Sequence, residues 1–158
     1  AVVRIKEISK GAEFSPADPQ IDNTVCSFSP LVQLAKSGQY ITAKNSDPVL
    51  HNTHLFLHQG SKNLGNIALP NAGQTAKKPL RKAGLVDVKC DAHKWMRAFI
   101  WVSDHPYIAV TGKDGSFSLK DVPPGTYTVV VWHEELGEKE ASVEVAPSGA
   151  VTLDLAFQ

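Results

Sequence analysis

The stretch Cys90-Asp-Ala-His93-Lys-Trp-Met96 sets a thiol, an imidazole and a thioether in one short segment. Thiolate and thioether are soft donors and imidazole is borderline, so together they suit copper, which each can serve as Cu(I) or Cu(II). Such a segment leaves a metal one strong in-plane ligand short. Upstream, Asn45-Ser-Asp-Pro-Val-Leu-His51-Asn52-Thr-His54 offers two imidazoles. Residues three apart on a strand face opposite sides, so only one of His51 and His54 faces the metal. Met96 is the only methionine, which sets it apart from an interchangeable core filler. Cys90 has two readings: a metal thiolate, or half of a disulfide with Cys26, the one other cysteine. The disulfide leaves His93 and Met96 without a part. There is no C-x-x-C-H and no paired C-x-x-C, so covalent haem and a zinc ribbon are excluded.

The elements that must position these side chains read as strands. Short β-branched or aromatic runs alternate with Gly, Pro, Asn and Asp clusters. They predict strands at 2–8, 24–28, 31–35, 39–45, 53–58, 84–89, 98–102, 107–111, 116–120, 126–132, 141–145 and 151–157. Alternation is plain in Ala141-Ser-Val-Glu-Val145 and Val151-Thr-Leu-Asp-Leu155, as in sheets with one buried face. Asn63–Asn71 reads as a helical turn or two. The expected class is all-β, built from sandwiches.

A chain of 158 residues with 42% apolar and 20% charged residues suits one ordinary domain or two small ones. Net charge is zero, which argues against a general nucleic-acid or membrane-surface binder, and no apolar run is long enough to span a bilayer. The charges are unevenly spread. Residues 60–97 carry eight basic side chains against Asp87 and Asp91, a formal +6, whereas residues 98–158 carry three lysines against nine acids. The asymmetry is either a solvated surface or a dipole that orients the protein on a partner. The sequence starts at Ala1 without an initiator Met, which fits a processed mature chain or a trimmed one.

With these residues in place, the chain resembles the cupredoxins, the type 1 blue copper proteins, of amicyanin- and plastocyanin-like type. His51-Asn52 matches the first-ligand motif, and Cys90-x2-His93-x2-Met96 matches the ligand loop at its amicyanin-like spacing. Phe28-Ser-Pro30 and Lys36-Ser-Gly38 fall where the family has its F-x-P strand and Gly turn. The resemblance covers roughly residues 21–102. It implies a Greek-key sandwich over residues 17–104 and one copper on His51, Cys90, His93 and Met96, with Asn52 beside the site. It further implies a periplasmic or secreted one-electron carrier rather than an enzyme, because no coordination position is left for substrate. His93 is then the exposed edge through which electrons pass, with Lys94 and Trp95 beside it to meet a redox protein of acidic docking surface. Cys26 departs from the family pattern. By alignment it packs on His93, tunes the metal from outside its ligands, or bonds it directly. A copper-delivery protein is the alternative function. His54, His58, His105 and His133 read as surface or capping histidines.

Thr111-x-x-Asp114-Gly115-x-Phe117-x-Leu119 and Pro123-Pro124-Gly125-x-Tyr127-x-Val129 resemble a different family, the carboxypeptidase regulatory-like β-sandwich of transthyretin type. Its first strand reads like Ala1-Val-Val-Arg-Ile5. The resemblance therefore implies a discontinuous second domain, residues 1–12 and 105–158, with the copper domain inserted after the first strand.

Overall fold

The computed structural model describes residues 1–8, 11–60, 62–147 and 149–157. Ser9, Lys10, Ser61, Ser148 and Gln158, which fall within the expected domain ranges, lie outside the described residues. Strand β1 (Val2–Ile5) is followed by β2 (Gln20–Thr24), β3 (Ser27–Ser29), β4 (Val32–Lys36) and β5 (Tyr40–Asn45). Next come β6 (His51–Leu57), β7 (Lys62–Leu69), β8 (Thr75–Pro79), β9 (Gly84–Lys89) and β10 (Arg97–Ser103). The last described strands are β11 (Ile108–Val110), β12 (Gly125–His133) and β13 (Gly137–Val145). Among the described residues there is one 3-10 turn, His58–Gly60, and no α-helix, so the all-β class holds. No helix among them is long and apolar enough to cross a membrane.

Ser15–Asp104 is one compact unit and Ala1–Phe14 with His105–Gln158 is another. The first is a sandwich of two sheets, ordered β4-β10-β9-β6-β7 and β3-β2-β5-β8. Two ladders are parallel, β4 with β10 and β2 with β5, so the chain crosses between sheets in Greek-key fashion rather than meandering. Alternation selects the inward side chains, such as Ile41 and Ala43 on β5 or Thr53 and Leu55 on β6. Ile41, Ala43 and Leu55 meet Ile21, Leu69, Val88 and Ile100 in one core. Each large aliphatic buried there contributes roughly 1.5–3 kcal/mol.

Two expectations are corrected in this unit. Asn63–Asn71 is not helical, since most of it lies in β7, paired to β6 along its length with a register shift at Leu55/Phe56. The expected strand over 24–28 is a hairpin tip: β2 and β3 pair as Thr24↔Ser27, which leaves Val25 and Cys26 as its two-residue turn.

The second unit is built on the sheet β11-β1-β12-β13. Strand β1 lies between two late strands, with Val2 opposite both Val110 and Trp132. Its Val3 packs with Val129 and Val131 beneath Phe117, Leu153, Leu155 and Phe157. The segments 116–120 and 151–157 were expected as strands. Neither is one, yet their apolar alternation still supplies the side chains that cover this sheet face.

Candidate metal centre

Strands β9 and β10 pair as Lys89↔Arg97, so Cys90–Met96 is the loop that closes their hairpin. The Met96 N–H donates to the His93 carbonyl at 3.0 Å, folding the loop back over the strand ends. On the other flank of β9 lies β6, with His54 opposite Lys89. Carrying that antiparallel register onward sets Asn52 opposite Asp91 and His51 beside the span from Cys90 to His93. Loop and strand thus deliver their donors to one place.

Cys90 Sγ lies 3.9 Å from His51 Nδ1 and 3.7 Å from His93 Nδ1. The two imidazole rings are 4.6 Å apart at their centroids. Bonds of about 2.0 Å to nitrogen and 2.3 Å to sulfur, opened to 120°, set such donors about 3.8 Å apart, so the cluster has the spacing of a trigonal His2Cys site. His51 and Cys90 are buried and His93 is partly exposed.

The His51 tautomer follows from its other nitrogen. Nε2 lies 2.9 Å from Asp47 Oδ2, and a carboxylate can only accept, so Nε2 carries the proton. The lone pair of Nδ1 is therefore left facing Cys90. This is the carboxylate–histidine support typical of metal ligands. Asp47 also accepts the amides of Cys26 and Val25, both at 2.8 Å. The Cys26 amide bond is the largest influence holding the Asp47 carboxyl below its usual range, and His51 adds to it.

A second network fixes the start of the loop. Asn52 Oδ1 accepts the Asp91 amide at 2.8 Å and the Cys90 thiol at 3.4 Å. Its Nδ2 donates to Asp91 Oδ2 and Asn66 Oδ1, each at 2.8 Å. The backbone amide makes the orientation of the Asn52 side chain unambiguous. His54 faces away from the metal donors and pairs with Asp91 at 3.0 Å, which is the main cause of the lowered Asp91 pKa. Of the two imidazoles on β6, His51 is thus the one at the cluster.

Met96 is buried in the same core cluster as Cys90. Cys26 and Cys90 are both free thiols, so the disulfide alternative is not seen. The Cys26 thiol groups with Asp47 and His51, and its carbonyl accepts the Trp95 indole N–H at 3.0 Å. Trp95 is 67% exposed and stands edge-on to His93, 5.1 Å between centroids, with Lys94 exposed beside it. Among the other histidines, His58 pairs with Asp87, while His105 and His133 accept the backbone amides of Tyr107 and Glu135. Sequence reasoning missed Asp47, Asp91 and Asn66. The signal for Asp47 was a carboxylate four residues before His51.

The site joins two buried donors and one partly exposed donor in a His/Cys/His cluster that fits copper. The family model for the carboxypeptidase regulatory-like domain matches residues 97–158, less than half of the chain. Among solved structures, amicyanin in a reduced variant superposes with a TM-score of 0.48 at 22% identity, covering 65% of this chain and 100% of its own. An oxidised amicyanin variant gives 0.48 at 23% identity, covering 64% and 98%. A purple cupredoxin from Nitrosopumilus maritimus gives 0.45 at 24% identity, covering 54% and 100%. No curated protein sequence matches the chain.

Proposed function

We propose that the protein is an extracytoplasmic one-electron carrier that holds a single copper ion on His51, Cys90, His93 and Met96. One observation carries the reading: two imidazole Nδ1 atoms converge on one thiol at trigonal spacing, with the His51 tautomer fixed by Asp47. When bound, copper supplies a centre that takes up and gives back one electron.

The chain's own residues do the rest. Asp47 keeps the His51 ring from turning, and Asn52 and Asp91 hold Cys90 at its strand end. Donors fixed by packing and hydrogen bonds on both sides do not need to move on a redox change, which keeps the reorganisation small. Burial of His51, Cys90 and Met96 shuts water out on the inner side. Partly exposed His93 is the way out for the electron, and exposed Lys94 and Trp95 are the residues a redox protein touches. With four protein donors there is no position for a substrate, so the role is transfer and not bond-making. The placement outside the cytoplasm is supported by the ligand-motif resemblance to cupredoxins.

The domain arrangement is part of the proposal. The family match starts at Arg97, inside β10, which pairs with β9 and β4 in the copper-domain sheet. A contiguous match cannot reach back across residues 15–104 to β1, which pairs with β11 and β12. Residues 1–12 and 105–158 are therefore read as one regulatory-like module that received the copper domain after its first strand.

Protein voltammetry on the copper-loaded chain tests the function. A reversible one-electron wave, with copper retained against a chelator, is the expected result. Ready loss of copper to the chelator with no reversible wave would make the chain a copper-delivery protein instead.

A further inference from the structure

A second donor group lies directly outside the first. Cys26 joins Asp47 and His51 in a group whose donor atoms lie within 4.8 Å of one another. Within it Asp47 Oδ2 is 2.9 Å from His51 Nε2, on the side of the ring away from Cys90. The turn that presents Cys26 is conformationally costly. Val25 and Cys26 both have positive φ, 51° and 50°, at the two central positions of a hairpin. Such turns favour Asn-Gly because L side chains are strained there, a β-branched one most of all. Strain of this kind persists only where the surroundings enforce it. Here Asp47 enforces it, accepting both turn amides at 2.8 Å. The same carboxylate therefore holds the thiol-bearing turn and faces the far nitrogen of His51.

We propose that Cys26, Asp47 and His51 Nε2 form a second metal site, for a borderline divalent ion of the zinc class, which shares the His51 imidazole with the copper centre. The donor set is thiolate, carboxylate and imidazole, each an ordinary zinc ligand. A tetrahedral ion with bonds of about 2.0–2.3 Å holds its donors roughly 3.3–3.6 Å apart. Asp47 and His51 at 2.9 Å are already near that spacing, and the thiol, within 4.8 Å, needs to close by no more than about 1.3 Å. Cys26 is partly exposed, whereas His51 and Cys90 are buried, so an ion reaches this group from solvent. Binding exchanges protons for metal: the Cys26 S–H proton leaves, and the ion takes the place of the Nε2 proton between His51 and Asp47. Water completes the fourth position, as in zinc sites with three protein ligands. The inference rests on the copper reading only for the sharing of His51. The group's own donors do not require it.

Cobalt(II) is the probe, because thiolate coordination gives it an intense charge-transfer band. The Cys90→Ser protein, which lacks the inner thiol, is expected to bind one Co(II) with that band. The band should vanish in the Cys90→Ser/Cys26→Ser double variant. Asp47→Asn in the Cys90→Ser background should raise the dissociation constant about tenfold or more. Zinc(II) added to the copper-loaded wild-type chain should shift the copper reduction potential, because the ion replaces the Nε2 proton on the shared His51 ring. The same addition should leave the copper-loaded Cys26→Ser protein unmoved. Absence of the cobalt band in Cys90→Ser, or its persistence without Cys26, would overturn the second site whatever the copper centre does. A copper potential indifferent to zinc while the cobalt band is present would overturn the sharing of His51.

Discussion

Asn52→Ala removes the clamp between β6 and the ligand loop, and its cost can be worked from the contacts. The Asn52 amide accepts the Asp91 N–H and donates to the Asp91 carboxylate, both at 2.8 Å, and it is buried. A neutral hydrogen bond contributes about 1 kcal/mol and one to a charged group about 1.5–3. The Asp91 side chain is 56% exposed, so water recovers roughly half of the charged contribution. The remaining two bonds, to Asn66 and from the Cys90 thiol at 3.4 Å, together add a few tenths of a kcal/mol. The total is about 2–3 kcal/mol. For a chain of this length that lowers Tm by about 5–10 °C. Thermal unfolding of the metal-free protein, followed by near-ultraviolet circular dichroism, measures it. Asn66→Ala removes the bond from Asn52 and an exposed one to the Asp91 carboxylate at 2.9 Å but leaves the Asp91 amide held, so it serves as the comparison and should shift Tm by less. An Asn52→Ala protein that melts within about 1 °C of wild type would show that the clamp does not hold the loop.

Met96→Leu conserves volume in the core and should cost less than about 1.5 kcal/mol. It should keep the copper colour and raise the reduction potential, because a weak thioether donor would favour Cu(II). A variant that lost copper altogether would mean that Met96 does more than supply a weak donor. Lys94→Glu should leave the visible spectrum unchanged, slow electron transfer to an acidic partner and flatten its salt dependence, as stopped-flow at several ionic strengths would show. Asp47 links the site to pH. Its folded-state pKa is depressed, so its stabilisation is present above the unfolded carboxylate value, near 4, and is lost as pH falls through the folded value. Acid titration of the metal-free protein should therefore show a stability loss below about pH 4 that is smaller in Asp47→Asn.

The ligand loop was legible because its chemistry is written in residue types: a thiol, an imidazole and the only thioether between two β-branched runs. His51 could be preferred over His54 through the two-residue period of a strand and the following Asn52. The strands were least legible where their residues are atypical. β8 is Thr75-Ala-Lys-Lys-Pro79, an edge strand whose lysines and proline suit an exposed rim but hide it from any pattern of alternation. β7 contains Asn63, Gly65 and Asn66, which read as breakers, yet its neighbour β6 supplies the ladder that keeps it extended. The Val25–Cys26 turn was invisible because it lacks the Gly or Asn that such turns favour, and Asp47, distant in sequence, enforces it. The segment 151–157 kept its alternation without its ladder, because Leu153, Leu155 and Phe157 need only an apolar face to cover, not a hydrogen-bonded neighbour.

Titration of the purified protein with Cu(II), followed in the visible region, tests the copper centre most directly. An intense thiolate-to-copper band that saturates at one equivalent, and is lost outright in Cys90→Ser while surviving in Cys26→Ser, is the predicted result. A chain that stays colourless, or whose colour depends on Cys26 and not on Cys90, would contradict the assignment of His51, Cys90 and His93 as the copper donors.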